Sequence, residues 1–223
     1  MGLKTTMKKL LDQTPLYGPI QSRIEKKRQK KELAQWEKDG RPVPPPHAIK
    51  QQNLLFYGRK YNLKVLVETG TYLGEMIEAM SPHFDRVYSI ELSEYLHAKA
   101  RRRFKKKNNV ELIRGDSGAE LKTIMANVTQ PTLFWLDGHY SAGVTAKGDK
   151  DTPIYEELEH IFQAPDIEHV IIIDDARCFG SDPAYPSLSE LKTFILRHKK
   201  NVSILVKDDS IIVTPNDSPP IGQ

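Results

Sequence analysis

The chain has 223 residues, 39% hydrophobic and 28% charged, the profile of one soluble globular domain with an appendage. No apolar run approaches the ~18–20 residues that span a bilayer, and the first thirty residues lack a signal-peptide apolar stretch. Cys178 is the sole cysteine, which excludes an intrachain disulfide and a cysteine zinc site, so a cytoplasmic location is expected. The net charge of +4 is uneven: residues 1–40 hold ten Lys/Arg against five Asp/Glu, and the remainder 23 against 24. A near-neutral body argues against a nucleic-acid binder, and no nucleic-acid partner is expected.

Residues 1–22 carry a short amphipathic stretch (Leu3, Met7, Leu10, Leu11), limited by Pro15 and Pro19. Arg23 to Asp39 favours helix and clusters Lys26, Lys27, Arg28, Lys30 and Lys31. Gly40 and the run Pro42-Val43-Pro44-Pro45-Pro46 read as a C-cap glycine followed by a stiff spacer. The expected division is therefore a basic helical extension with a Pro-rich linker, 1–46, and a folded domain, 47–223. Such a helix suits peripheral contact with an anionic membrane surface, nucleic acid or an acidic partner. A solvated helix is the simpler reading.

From residue 47 helices and strands alternate. A helix over Ala48–Tyr61 precedes a strand Lys64–Glu68 and a helix Gly74–Met80. Strand Arg86–Glu91 leads to a basic helix, Glu94–Lys106; strand Val110–Arg114 leads to a helix from Ser117 to Ala126. Strand Thr132–Asp137 opens a polar loop, 138–152, and Thr152-Pro153 then starts a helix with Glu156 and Glu157 in its first turn. Strand His169–Asp174, helix Ser187–His198 and strands Val202–Val206 and Ser210–Val213 close the chain. Five β-α units predict a doubly wound α/β sheet. The last two strands are too close for a helical crossover and must form an antiparallel hairpin. The basic run Lys99–Lys107 has only Phe104 interleaved, so it reads as a solvated face rather than a base-stacking platform.

Two apolar strands end in carboxylates: Phe134-Trp135-Leu136-Asp137 and Val170-Ile171-Ile172-Ile173-Asp174-Asp175. Continuous apolar runs of this length read as strands buried on both faces. Ligands of open α/β sheets sit beyond the carboxyl ends of such strands. Three acids at that edge repel one another, and a bound divalent cation is the most economical compensation. The alternative is that Asp174 and Asp175 cap the next turn while Asp137 contacts a cofactor alone.

The first strand runs into Glu68-Thr69-Gly70-Thr71-Tyr72-Leu73-Gly74. Gly70 permits a sharp turn and close approach of a ligand, and Gly74 permits close helix–strand packing. The spacing is G-x-x-x-G rather than the dinucleotide fingerprint G-x-G-x-x-G, which disfavours a nicotinamide-dependent oxidoreductase. Glu91 ends the second strand 21 residues after Gly70, where an acid can accept both hydroxyls of a ribose. Asp116-Ser117 follows the third strand, within reach of an adenine edge, although Asp116 is equally suited to cap a helix.

On these residues the chain resembles the class I S-adenosylmethionine-dependent methyltransferases over about residues 47–215. Glu68-Thr69-Gly70-Thr71 resembles their first motif, Glu91 their ribose acid, and Gly115-Asp116-Ser117 their adenine-side motif. The closing hairpin is similar to theirs, with the last of seven strands antiparallel in a Rossmann-like sheet. Thr71 and Tyr72 stand where many members have a second glycine. The resemblance implies S-adenosylmethionine bound by Glu68, Thr69, Gly70, Thr71, Tyr72, Glu91, Asp116, Ser117 and Asp137.

Asp137, Asp174 and Asp175 further resemble the metal triad of catechol-type and macrocin-type sugar O-methyltransferases, which implies Mg²⁺ and a small-molecule or glycan hydroxyl as acceptor. His139, two residues past Asp137, is a candidate general base. The sugar-modifying relatives often place histidine one residue later, where this chain has Tyr140. Lys147, on a glycine-flexed loop long enough to act as a lid, is a candidate contact to an anionic substrate. A non-catalytic adapter recruited by its basic N-terminal helix is the second reading, and a homo-oligomer is left open.

Overall fold

The computed structural model describes residues 17–137, 152–163 and 167–216, and the chain divides into two compact units, residues 1–49 and 50–223. In the first unit a helix, α1, runs over Tyr17–Lys38. It begins ahead of Pro19 rather than after it. A proline is tolerated in a first turn because its missing N–H would have no partner there. The helix ends as its glycine predicts: Gly40 takes φ 81°, and the Arg41 N–H returns to the Trp36 carbonyl at 2.9 Å. The Trp36 indole donates to the Pro42 carbonyl at 2.7 Å, and Lys27, Arg28, Lys30 and Lys31 are exposed.

The second unit is built on seven strands: β1 Val65–Thr69, β2 Arg86–Glu91, β3 Val110–Arg114, β4 Thr132–Leu136, β5 Val170–Ile173, β6 Val202–Lys207 and β7 Ser210–Pro215. The helices are α2 His47–Lys60, of which the second unit holds Lys50 onward, α3 Glu75–Met80, α4 Glu94–Phe104, α5 Ser117–Met125, α6 Ile154–Gln163 and α7 Leu188–His198. The sheet order is β3-β2-β1-β4-β5-β7-β6. Strands β1 to β5 pair in parallel, and β7 lies antiparallel between β5 and β6. This is the doubly wound sheet with a closing hairpin expected from the sequence.

Strands β1, β4, β5 and β7 are buried along their whole length, which explains why they read as unbroken apolar runs. Alternate residues supply two cores. Val67, Phe134, Leu136, Ile171, Ile173 and Val213 pack with Leu121, Leu158 and Ile195 of α5, α6 and α7. Leu66, Leu133, Trp135, Val170, Ile172 and Ile212 pack with Leu54 and Tyr57 of α2 and Met76 and Met80 of α3.

Register decides what reaches the edge. Thr69 lies opposite both Ile90 and Leu136, and Leu136 lies opposite Ile173. The next residues, Gly70, Glu91, Asp137 and Asp174, therefore leave the sheet at one level. The order reverses between β1 and β4, so the crevice of a doubly wound sheet opens there. Because β7 runs the other way, the β6–β7 turn, Asp208-Asp209, arrives at this same edge. Both aspartates are left-handed (φ 49° and 60°), the conformation a two-residue hairpin turn demands.

Candidate active site

At the β1 end, Gly70 takes φ 83° and Tyr72, a residue with a side chain, takes φ 47°. Tyr72 thus adopts the left-handed backbone that a second glycine would take without strain. Its N–H donates to Glu91 Oε2 at 2.8 Å, and the Ser93 N–H donates to Glu91 Oε1 at 2.8 Å. One carboxylate therefore ties the glycine turn to the start of α4, where Ser93 accepts the Leu96 N–H. Burial raises the Glu91 pKa against those two backbone bonds. Gly74 is required on two counts: its φ is 75°, and a Cβ there would stand 2.5 Å from the Phe104 ring of α4.

Glu68 and Thr71 turn inward. The Ser89 hydroxyl donates to Glu68 Oε2 and lies 2.6 Å from Thr71 Oγ1. Burial pushes the Glu68 carboxyl up to about 8, opposed by the Ser89 bond and reinforced by Asp137 and Glu91. Asp116 stands at the N-cap position of α5, yet its side chain makes no capping hydrogen bond. Ser117, the first residue of that helix, is buried.

Asp137 follows β4, and its N–H reaches both the carbonyl and the Oγ1 of Thr69 at 3.2 Å. The Asp174 N–H reaches the Leu136 carbonyl at 3.0 Å, which extends the β4–β5 ladder. Asp175 is left-handed, φ 54°, at the start of a 3₁₀ turn, Ala176–Cys178. Asp137, Asp174 and Asp175 each offer an oxygen, and these oxygens lie within 4.8 Å of one another. Asp174 is buried, and its Oδ1 has no hydrogen-bond partner among the described residues. Burial, with Asp137 and then Asp175 adding repulsion against Lys50, pushes Asp174 up to about 7. Hard, crowded oxygens with one donor atom left open fit a divalent cation such as Mg²⁺.

The structure brings further residues to this edge that spacing along the chain did not reveal. Lys50 of α2 contacts Asp174 Oδ2 and stands 3.7 Å from Asp175 Oδ1. Arg177 bridges Asp175, at 2.7 Å, and Asp209 of the hairpin turn. Glu157, expected only as a first-turn acid of α6, is 2% exposed. Its carboxyl is hydrogen-bonded to Ser117 and Thr69 and pushed by burial up to about 7, and its Oε1 has no partner among the described residues. Glu157, Asp137 and Asp174 line a cavity of about 10 Å³, room for roughly one water molecule. The one sequence signal for Glu157 was its place in the first turn after Pro153. His139 and Lys147 lie outside the described residues. Among those residues no helix is long and apolar enough to cross a membrane.

No protein-family model matches the sequence, and no curated protein does. Solved structures do match. The O-methyltransferase TomG from Streptomyces achromogenes, involved in tomaymycin synthesis and solved with S-adenosylmethionine, is 17% identical with a TM-score of 0.56, covering 83% of this chain and 87% of TomG. An O-methyltransferase from Bacillus cereus, bound to S-adenosylhomocysteine, is 17% identical with a TM-score of 0.56, over 83% and 89%. The Podospora anserina methyltransferase PaMTH1, also holding S-adenosylhomocysteine, is 20% identical with a TM-score of 0.53, over 75% and 78%. At these identities the likeness concerns the backbone, and with the antiparallel β7 it gives the chain the class I methyltransferase fold.

Proposed function

We propose that the chain is an S-adenosylmethionine-dependent O-methyltransferase, Mg²⁺-assisted, acting on a hydroxyl of a small molecule or glycan. The observation that carries this reading is the shared edge: Gly70, Glu91, Asp137 and Asp174 leave a methyltransferase-type sheet at one level. Support comes also from S-adenosylmethionine or its demethylated product in the three neighbours.

S-adenosylmethionine supplies the electrophilic methyl group when bound, and a divalent cation supplies a Lewis acid that lowers an acceptor hydroxyl's pKa. Methyl transfer is an in-line displacement, so the chain's own task is positioning. Gly70 lets the backbone approach the cofactor, and Thr69, Thr71 and Tyr72 shape that turn, with Glu68 beneath it. Glu91 keeps lone pairs for ribose hydroxyls beyond those given to Tyr72 and Ser93. Asp116 and Ser117 take the adenine side. Asp137 borders the cofactor and, with Asp174 and Asp175, would hold the cation. His139 is the proposed base and Lys147 the proposed anion contact.

Calorimetry with S-adenosylhomocysteine tests the cofactor; the absence of heat at millimolar ligand would sink the whole reading. Methyl transfer to catechols and sugars, run with and without EDTA, tests the cation. An activity indifferent to EDTA and to Asp174→Ala would remove the metal and leave the transfer standing.

A further inference from the structure

The ammonium of Lys50 stands where a metal would. It touches Asp174 Oδ2, lies 3.7 Å from Asp175 Oδ1, and is also attracted by Asp137. These are the same three carboxylates whose oxygens cluster within 4.8 Å. The lysine side chain is 14% exposed, and its Nζ lies 6.0 Å from the centre of the Trp135 ring, so the pair is well withdrawn from water. Like charges held a few ångströms apart repel, and more strongly where water is scarce. An ammonium and a divalent cation therefore compete for the same oxygens.

We infer that Lys50 is the internal counter-ion of the cation site, and that a divalent cation binds only by displacing it. The affinity for metal is therefore set by a residue of α2 as much as by the three aspartates. This rests on the reading of Asp137, Asp174 and Asp175 as metal ligands. Of the two cations that contact these acids among the described residues, Lys50 is the one that can leave. Arg177 is clamped between Asp175 and Asp209 by its side chain, and its backbone N–H is bound to Asp209 Oδ1 at 2.9 Å. Lys50 is a point charge on a flexible four-carbon stem, free to swing once its carboxylate partners are claimed.

The test titrates Mn²⁺ into the full chain and follows free Mn²⁺ by electron paramagnetic resonance. Lys50→Met keeps the apolar stem and removes the competing charge. It should bind Mn²⁺ at least tenfold more tightly than the unaltered protein. In EDTA its melting temperature should fall below that of the unaltered protein, and Mn²⁺ should raise it by the larger amount. Asp174→Asn should weaken binding in either background. Lys50→Gln, read the same way, serves if the methionine variant does not fold, with S-adenosylhomocysteine binding as the control for an intact crevice. Equal or weaker Mn²⁺ binding by the Lys50 variants overturns the inference alone. No Mn²⁺ binding by any form, with S-adenosylhomocysteine still bound, overturns it together with the metal reading.

Discussion

Replacing Glu91 by Gln separates two tasks that fall on one side chain. The carboxylate accepts the Tyr72 N–H on one oxygen and the Ser93 N–H on the other, both at 2.8 Å. An amide has one acceptor oxygen and presents N–H₂ where the second oxygen was. One backbone donor must then face another donor. Ser93 is 9% exposed, whereas Tyr72 is 49% exposed. The amide oxygen should therefore stay with Ser93, and the glycine turn should lose its anchor. An orphaned N–H costs roughly 1–3 kcal/mol when buried, and the openness at Tyr72 places Glu91→Gln near the low end, about 1–2 kcal/mol. Glu91→Ala abandons both donors and should cost about 2–4 kcal/mol on the same scale. Urea unfolding gives these differences directly from the shift in midpoint at constant slope. Calorimetry should show affinity for S-adenosylhomocysteine at least tenfold lower in Glu91→Gln, about 1.4 kcal/mol. If the variant unfolds within about 0.5 kcal/mol of the unaltered protein, Glu91 does not hold the turn and the backbone argument fails.

Glu68 carries a pH signature. Its folded pKa of about 8 lies above the ordinary 4.5, so between those values the folded chain binds a proton that the unfolded chain has lost. Stability should decline as pH rises from about 5 to 8, by at most about 1.4 kcal/mol per unit from this group; urea midpoints in EDTA should fall less steeply for Glu68→Gln, and parallel curves would contradict it. His169 acts on the acid side: burial holds its imidazole down at about 4, below the ordinary 6.5. Stability should fall as pH drops from about 6.5 to 4, and His169→Gln should flatten that limb in the same assay. Gly74→Ala should cost about 2–4 kcal/mol, from left-handed strain and a Cβ 2.5 Å from the Phe104 ring. Part of that loss should return in Gly74→Ala/Phe104→Leu, and a strictly additive cycle would show that the two residues do not clash.

Much of the candidate site was legible because strand ends announce themselves. A run such as Val170–Ile173 is apolar on both faces, so the first carboxylate after it must mark the end of the strand and the crevice edge. The same logic placed Asp137, whereas Glu91 was placed by ending the second strand 21 residues after Gly70; the alternation of strands and helices gave the fold, with the hairpin following from the two residues between β6 and β7. Local chemistry was legible too: the Gly40 helix end and the left-handed glycine turn depend on a few neighbouring residues.

Other features belong to the tertiary structure. Lys50 and Asp174 are 124 positions apart, and no periodicity of α2 distinguishes this lysine from those that face water. Tyr72 is not a residue type that favours a left-handed backbone, and Glu91 of the next strand accepts its N–H there. Asp209 reads as a turn residue, and becomes part of the charged edge because β7 runs opposite to β5 and returns the hairpin turn to the crevice. The division has a physical cause. Secondary structure and the burial of a strand follow from local pattern, so the order of residues along the chain is enough to fix the sheet and the acids that end its strands. Which cation meets those acids, and what state they are in, depends on charges brought together across the fold through space, and only the register and order of the strands decided that.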